Sequence, residues 1–202
     1  MFKTLASRMF TTPEEPKYKV IDPPEGSKER DRGFEEREYE PCMWAVVDAT
    51  GDTAKEATTA GFRQLLKYIS GTNKEGATVP MSAPVMVFHQ PGEDESWKSF
   101  KKEVKVGFMI STDKRENPPT PNDDTPITFR KTPTTRVYVR KYGGFSKEEI
   151  ALAEVANLRD ALGTKHKYMN SFCYFCGYDS PMTMFGRRNE IWFLKETSEA
   201  EI

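Results

Sequence analysis

The 202-residue sequence predicts an α+β fold in which two pseudo-symmetric strand-helix-strands repeats form a distorted antiparallel β-barrel flanked by two helices. Three observations lead there. The run Pro84-Val85-Met86-Val87-Phe88 is echoed by Pro181-Met182-Thr183-Met184-Phe185. Val47, Gly51, Leu66 and Gly71 fall on Val139, Gly143, Leu158 and Gly163 at a constant spacing, as a duplication requires. Each matched pair of glycines brackets a segment of helical periodicity, and β-rich runs follow it. Two copies are too few for a solenoid, so the halves are expected to complete each other, and closure of the sheet hides its edges.

The elements follow in order. Cys42–Asp48 alternates Trp44 and Val46 against Met43, Ala45 and Val47 and reads as a strand ended by Gly51. Thr53 stands three residues before Glu56, the spacing of a capping box, and Gly71 is a natural stop, so the first helix runs from Ala54 to Ser70. Val85–His89 and Val104–Thr112 are strands, the second with Val104, Val106, Phe108 and Ile110 on one face. A proline-rich loop, Ser111–Pro126, joins the halves. Ile127–Lys131 and Arg136–Tyr142 are strands, and Gly143-Gly144 turns the chain into Ser146-Lys147-Glu148-Glu149, a second capping box opening a helix to Leu162. Strands over Phe172–Tyr178, Met182–Phe185 and Asn189–Lys195 close the copy, with Gly186 turning into the last. Residues 13–33 are rich in proline and charge and read as a linker. The expected division is a flexible arm over 1–33, a domain over 34–195 with repeats at about 34–112 and 127–195, and an acidic tail over 196–202.

An apolar share of 37% and a net charge of −1 suit one globular domain and leave no basic excess for a nucleic-acid partner. No run approaches the ~18 apolar residues of a membrane span. Three cysteines cannot all pair within one chain and no apolar signal-peptide core stands near Met1, so a reducing, cytoplasmic location is expected; a monomer is expected as well. Met1–Thr12 carries Lys3 and Arg8 without an acid, which leaves a mitochondrial presequence as the alternative.

Signals for catalysis and metal binding are sparse. Cys173 and Cys176 have C-x-x-C spacing but no second ligand pair, and residues three apart on a strand point to opposite faces, so no structural metal is expected. His89 and His166 are the only histidines and each could ligate iron, yet a lone histidine at a strand end or in a loop is ordinarily a polar surface residue. No nucleophile–base arrangement is recognisable, so no catalytic residues and no enzymatic activity are expected; a hydrolase using Cys42 or Glu190 is the weakest reading.

The two helices are more informative. The second carries a core seam of Ala151, Val155, Leu158 and Leu162, and at the same spacing Phe62 and Leu65 of the first oppose Glu154 and Asn157. Either the first helix is rotated by about one residue, near 100°, or it exposes an apolar strip. Such a stripe is ordinarily core, and Arg63 and Lys67 beside it are ordinarily a solvated face. The functional reading is an apolar wall rimmed by cations, suited to a flat apolar ligand with carboxylates.

Three segments, Phe34–Trp44, Gly61–Val85 and Gly177–Leu194, resemble the SOUL/haem-binding protein family in ordered combination, and Gly71-Thr72-Asn73 with Gly186-Arg187-Arg188-Asn189-Glu190 resembles its cytosolic haem-binding branch. The resemblance covers about residues 34–195. It implies a two-repeat distorted barrel with two helices and reversible binding of haem or another tetrapyrrole such as protoporphyrin, as a carrier or buffer. It also implies a cleft along the first helix and the turn before the last strand, at Thr59, Phe62, Leu66 and Lys67 with Met184 and Phe185; Arg63 joins them from the residue pattern. The axial histidine of some family members falls at Glu38, and a basic residue near the last turn is replaced by Thr183. Apolar contact, with Lys67 or Arg63 for the propionates, is the expected basis of binding. The alternative is a protein-interaction module that docks a partner through the same strip.

Overall fold

A computed structural model describes residues 12–21, 23, 33–180 and 182–196. The expected presequence, most of the acidic tail, and Pro181 of the echo lie outside the described residues. Among the described residues nine strands form one antiparallel sheet that curls into a half-barrel, with two helices, so the α+β class stands. The strands are β1 (Tyr18–Val20), β2 (Glu35–Tyr39), β3 (Cys42–Ala49), β4 (Val85–His89), β5 (Val104–Met109), β6 (Ile127–Thr132), β7 (Thr135–Gly143), β8 (Cys173–Gly177) and β9 (Arg188–Leu194), and the helices are α1 (Ala54–Ile69) and α2 (Glu148–Leu162).

The sheet order is β1-β2-β7-β9-β8-β4-β5-β3-β6. Apart from β1, this order reads the same from either end when β2 to β5 are exchanged with β6 to β9. Register obeys the same exchange, because Val47 pairs with Ile127 and Val139 pairs with Glu35. The axis passes between β4 and β8, near the pair Val87 and Phe175.

This symmetry corrects the reading of the echo. The counterpart of β4 is β8, and the strand expected at Met182–Phe185 is a loop with Phe185 89% exposed. Alternating apolar residues in that run satisfy the β period, but no neighbouring strand pairs with them. Two elements went unread. β1 lies within the expected linker, where Tyr18 packs against Tyr39 with ring centroids 5.0 Å apart, and β2 is too charged to announce itself.

Period-two alternation divides β7 and β9 between two cores. Tyr138, Ile191 and Phe193 join the helices, whereas Val137, Val139 and Trp192 lie on the opposite face. Cys173 and Cys176 fall on these two faces respectively, as a spacing of three on a strand requires.

The core face of α1 is Ala57, Gly61, Leu65 and Tyr68, with Phe62 half-buried and Leu66 41% exposed. Small residues bring α1 close to the sheet: a Cβ added at Gly61 would stand 2.7 Å from Val106 Cγ2. The α2 seam holds Val155 instead, with Ala151, Leu158 and Leu162 as expected. Thr53 caps α1 by accepting the Glu56 amide at 3.1 Å. α2 departs from the expected capping box: its N-cap is Lys147, which makes no side-chain cap bond, and the Ser146 hydroxyl pairs with Tyr142 at 2.8 Å.

Candidate functional site

The helix-covered face of the β4–β8 seam holds a cavity of about 470 Å³. Its walls are the N-termini of both helices. Thr53, Ala54, Lys55, Thr58 and Thr59 come from α1, and Ser146, Lys147, Glu148, Glu149 and Ala151 come from the opening of α2. Phe175 of β8, Phe100 and His89 complete the lining. Apolar rings and alanines thus form the interior, while two lysines, two carboxylates and two positive helix ends stand around them.

His89 is the unusual member. It ends β4 with the inward parity of Val85 and Val87 and is only 6% exposed. Its ring stacks on Phe100 with centroids 4.3 Å apart, and Nδ1 is enclosed without a hydrogen-bond partner. Burial pushes its pKa down from 6.5 to about 4, so the imidazole is neutral near pH 7. The expectation of a surface histidine is therefore corrected. Strand parity was the available signal, since β4 alternates core and opposite-face residues up to His89.

The sequence-predicted residues are distributed around this cavity. Thr59 lines it. Lys55, Thr59, Phe62 and Leu66 follow at i, i+4, i+7 and i+11, so one stripe leaves the cavity along α1. Phe62 rests on Phe108 at 5.3 Å between centroids, and Arg63 and Lys67 are exposed beside the stripe. Met184 and Phe185 do not line the cavity; they stand on the β8–β9 loop, 65% and 89% exposed. That loop is tied to the approach to α2. Arg187 donates to the carbonyls of Ser180 (2.8 Å) and Thr183 (3.0 Å) and lies 4.7 Å from the Phe145 ring centre, while Asn189 Nδ2 donates to the Gly144 carbonyl at 2.9 Å.

The weakest reading, hydrolysis through Cys42 or Glu190, meets two geometric facts. Burial raises the Cys42 thiol pKa, and its Sγ donates to the Glu40 carbonyl at 3.3 Å. Glu190 is engaged on both oxygens: Arg37 donates to each at 3.1 Å, and Tyr178 Oη and Trp192 Nε1 each donate to Oε2 at 2.7 Å. Among the described residues no cluster of three or more histidine, cysteine or acidic side chains could hold a metal ion, and no helix is long and apolar enough to cross a membrane.

The family model described as SOUL heme-binding protein matches residues 13–194. Heme-binding protein 1 of Xenopus laevis is 36% identical over 80% of this chain and 83% of its own, and that of Mus musculus is 36% identical over 84% and 87%. The fold is similar to the EcmrR C-terminal domain, with a TM-score of 0.54 at 12% identity over 81% of this chain and 96% of that one.

Proposed function

The chain belongs to the SOUL heme-binding protein family, and from that premise we propose that it binds haem and other tetrapyrroles reversibly as a carrier or buffer, along the first helix. The observation that carries this reading is the continuity of the cavity with the α1 stripe through Thr59. Phe100, Phe175 and Phe62 offer flat apolar contact to a macrocycle. Lys55 and Lys147 at the cavity, with Arg63 and Lys67 farther along α1, supply cations for propionates. The β8–β9 loop, through Met184 and Phe185, contributes apolar cover from the α2 side.

The residues fit such a ligand on one further count, since the neutral imidazole of His89 stands with the Phe100 and Phe175 rings in the cavity wall. When bound, haem would supply a Lewis-acidic iron able to accept a nitrogen donor. The protein's part is to bind the macrocycle, orient it and exclude water from its buried edge.

Titration of the purified chain with hemin and with metal-free protoporphyrin, followed by quenching of tryptophan fluorescence, tests the reading. Saturable micromolar binding of both, mutually competitive and weakened by Phe62→Asp, is the expected result. The absence of binding to either sinks it. That outcome, with the chain monomeric and folded, would instead favour docking of a protein partner on the exposed Leu66 strip.

A further inference from the structure

We propose that His89 is the protein ligand to the iron of haem bound in the cavity between the two helix N-termini; this rests on the tetrapyrrole reading above. The chain has two histidines. His166 is half-buried and packs edge-on against Phe34 and Tyr138, at 5.2 and 5.4 Å between ring centroids, and does not line the cavity. Glu38, where the resemblance puts an axial ligand, is held by Lys19 at 2.6 Å and Arg136 at 2.7 Å. His89 is therefore the imidazole that geometry brings to the ligand.

Its chemistry suits the role. A neutral imidazole has one N–H and one lone pair. With Nδ1 enclosed and His89 in the cavity lining, Nε2 is the nitrogen available to a ligand. Cys173, which pairs with His89 across β4 and β8, is fully buried in the core and does not line the cavity. Coordination at Nε2 places the proton on Nδ1, which has no acceptor. Metal-bound imidazoles ordinarily donate that second N–H, and the donation makes them more basic. Without it His89 is a weak axial donor, which suits a ligand that is released as well as held. The stack on Phe100 fixes the ring plane without adding a hydrogen bond.

The test uses the full chain and ferric haem. In a His166→Ala variant, His89 is the sole imidazole, and incorporation of ¹⁵N-histidine is expected to give a ¹⁵N hyperfine coupling to the iron. His89→Ala is expected to abolish the imidazole signature and to raise the Kd for haem at least about tenfold, while the Kd for metal-free protoporphyrin stays within about twofold. Identical ferric spectra and haem Kd in wild type and His89→Ala, with protoporphyrin bound by both, overturn the assignment and leave the tetrapyrrole reading standing. Loss of the imidazole signature in His166→Ala overturns it as well. If wild type binds neither compound, both readings fall. Should His89→Ala not fold, the ¹⁵N measurement on His166→Ala decides alone.

Discussion

The two faces of the sheet bury polar groups in opposite ways. On the face away from the helices, Arg37 and Glu190 lie 1% exposed at 3.1 Å, and Arg37 also donates to Glu35 and Tyr39 at 2.8 Å each. Tyr18 of β1 covers this cluster, with the Arg37 guanidinium 4.2 Å from its ring centre. On the helix face His89 is also buried, but its Nδ1 has no hydrogen-bond partner. A saturated buried network holds one packing arrangement, whereas the helix face leaves a ring nitrogen unpartnered beside a cavity.

The largest expected effect breaks the scaffold side. Arg37→Ala leaves a buried carboxylate at Glu190 unpaired and should cost about 3–5 kcal/mol in denaturant unfolding. Arg37→Met with Glu190→Gln keeps acceptors for Tyr178 and Trp192 and should recover much of that loss. An Arg37→Ala chain as stable as wild type would remove the contrast between the faces.

The helix face answers to pH. His89 titrates at about 4 in the folded chain against 6.5 unfolded, so its contribution to stability is full above pH 6.5 and is lost as pH falls through 4. The size is about 3 kcal/mol. Lys55, Lys147, Glu148 and Glu149 also line the cavity, so the measurement is the difference in pH slope between the ligand-free wild type and His89→Phe, which should be flatter.

A smaller effect separates the helices themselves. Gly61→Val drives a side chain into Val106 and Val47 and should cost about 1–3 kcal/mol, whereas α2 already carries Val155 in its seam. Smallest is the difference at their N-termini. Thr53→Ala should cost about 1 kcal/mol through the lost cap, and Ser146→Ala less than about 0.5 kcal/mol, as Ser146 does not cap α2. Thermal unfolding of the pair checks the order.

Much of the fold was legible because its cues are local. Thr53, Gly51 and Gly71 punctuate α1, and the alternation in β3, β4 and β5 reports burial directly. The pairing of Val47 and Val139 survives in the strand register. What escaped depends on distant partners. β1 has three exposed residues and is held by Tyr39 and Arg37, and the charged face of β2 is neutralised from β7 and β9. The echo at Met182–Phe185 misled because sequence similarity carries no information about which strand stands alongside. The candidate site was half legible. Periodicity found the α1 stripe, but the cavity needs both helix N-termini and the β4–β8 seam together, and no single segment announces that convergence.

If a tetrapyrrole occupies the cavity beside α1, a side chain that fills that cavity must displace it. Thr58 is half-buried in its wall, so Thr58→Trp fills the space without touching the β8–β9 loop. The most direct measurement is the Kd of metal-free protoporphyrin for this variant against wild type, by porphyrin fluorescence. An increase of at least about tenfold is expected; an unchanged Kd in a folded Thr58→Trp chain would place the ligand elsewhere.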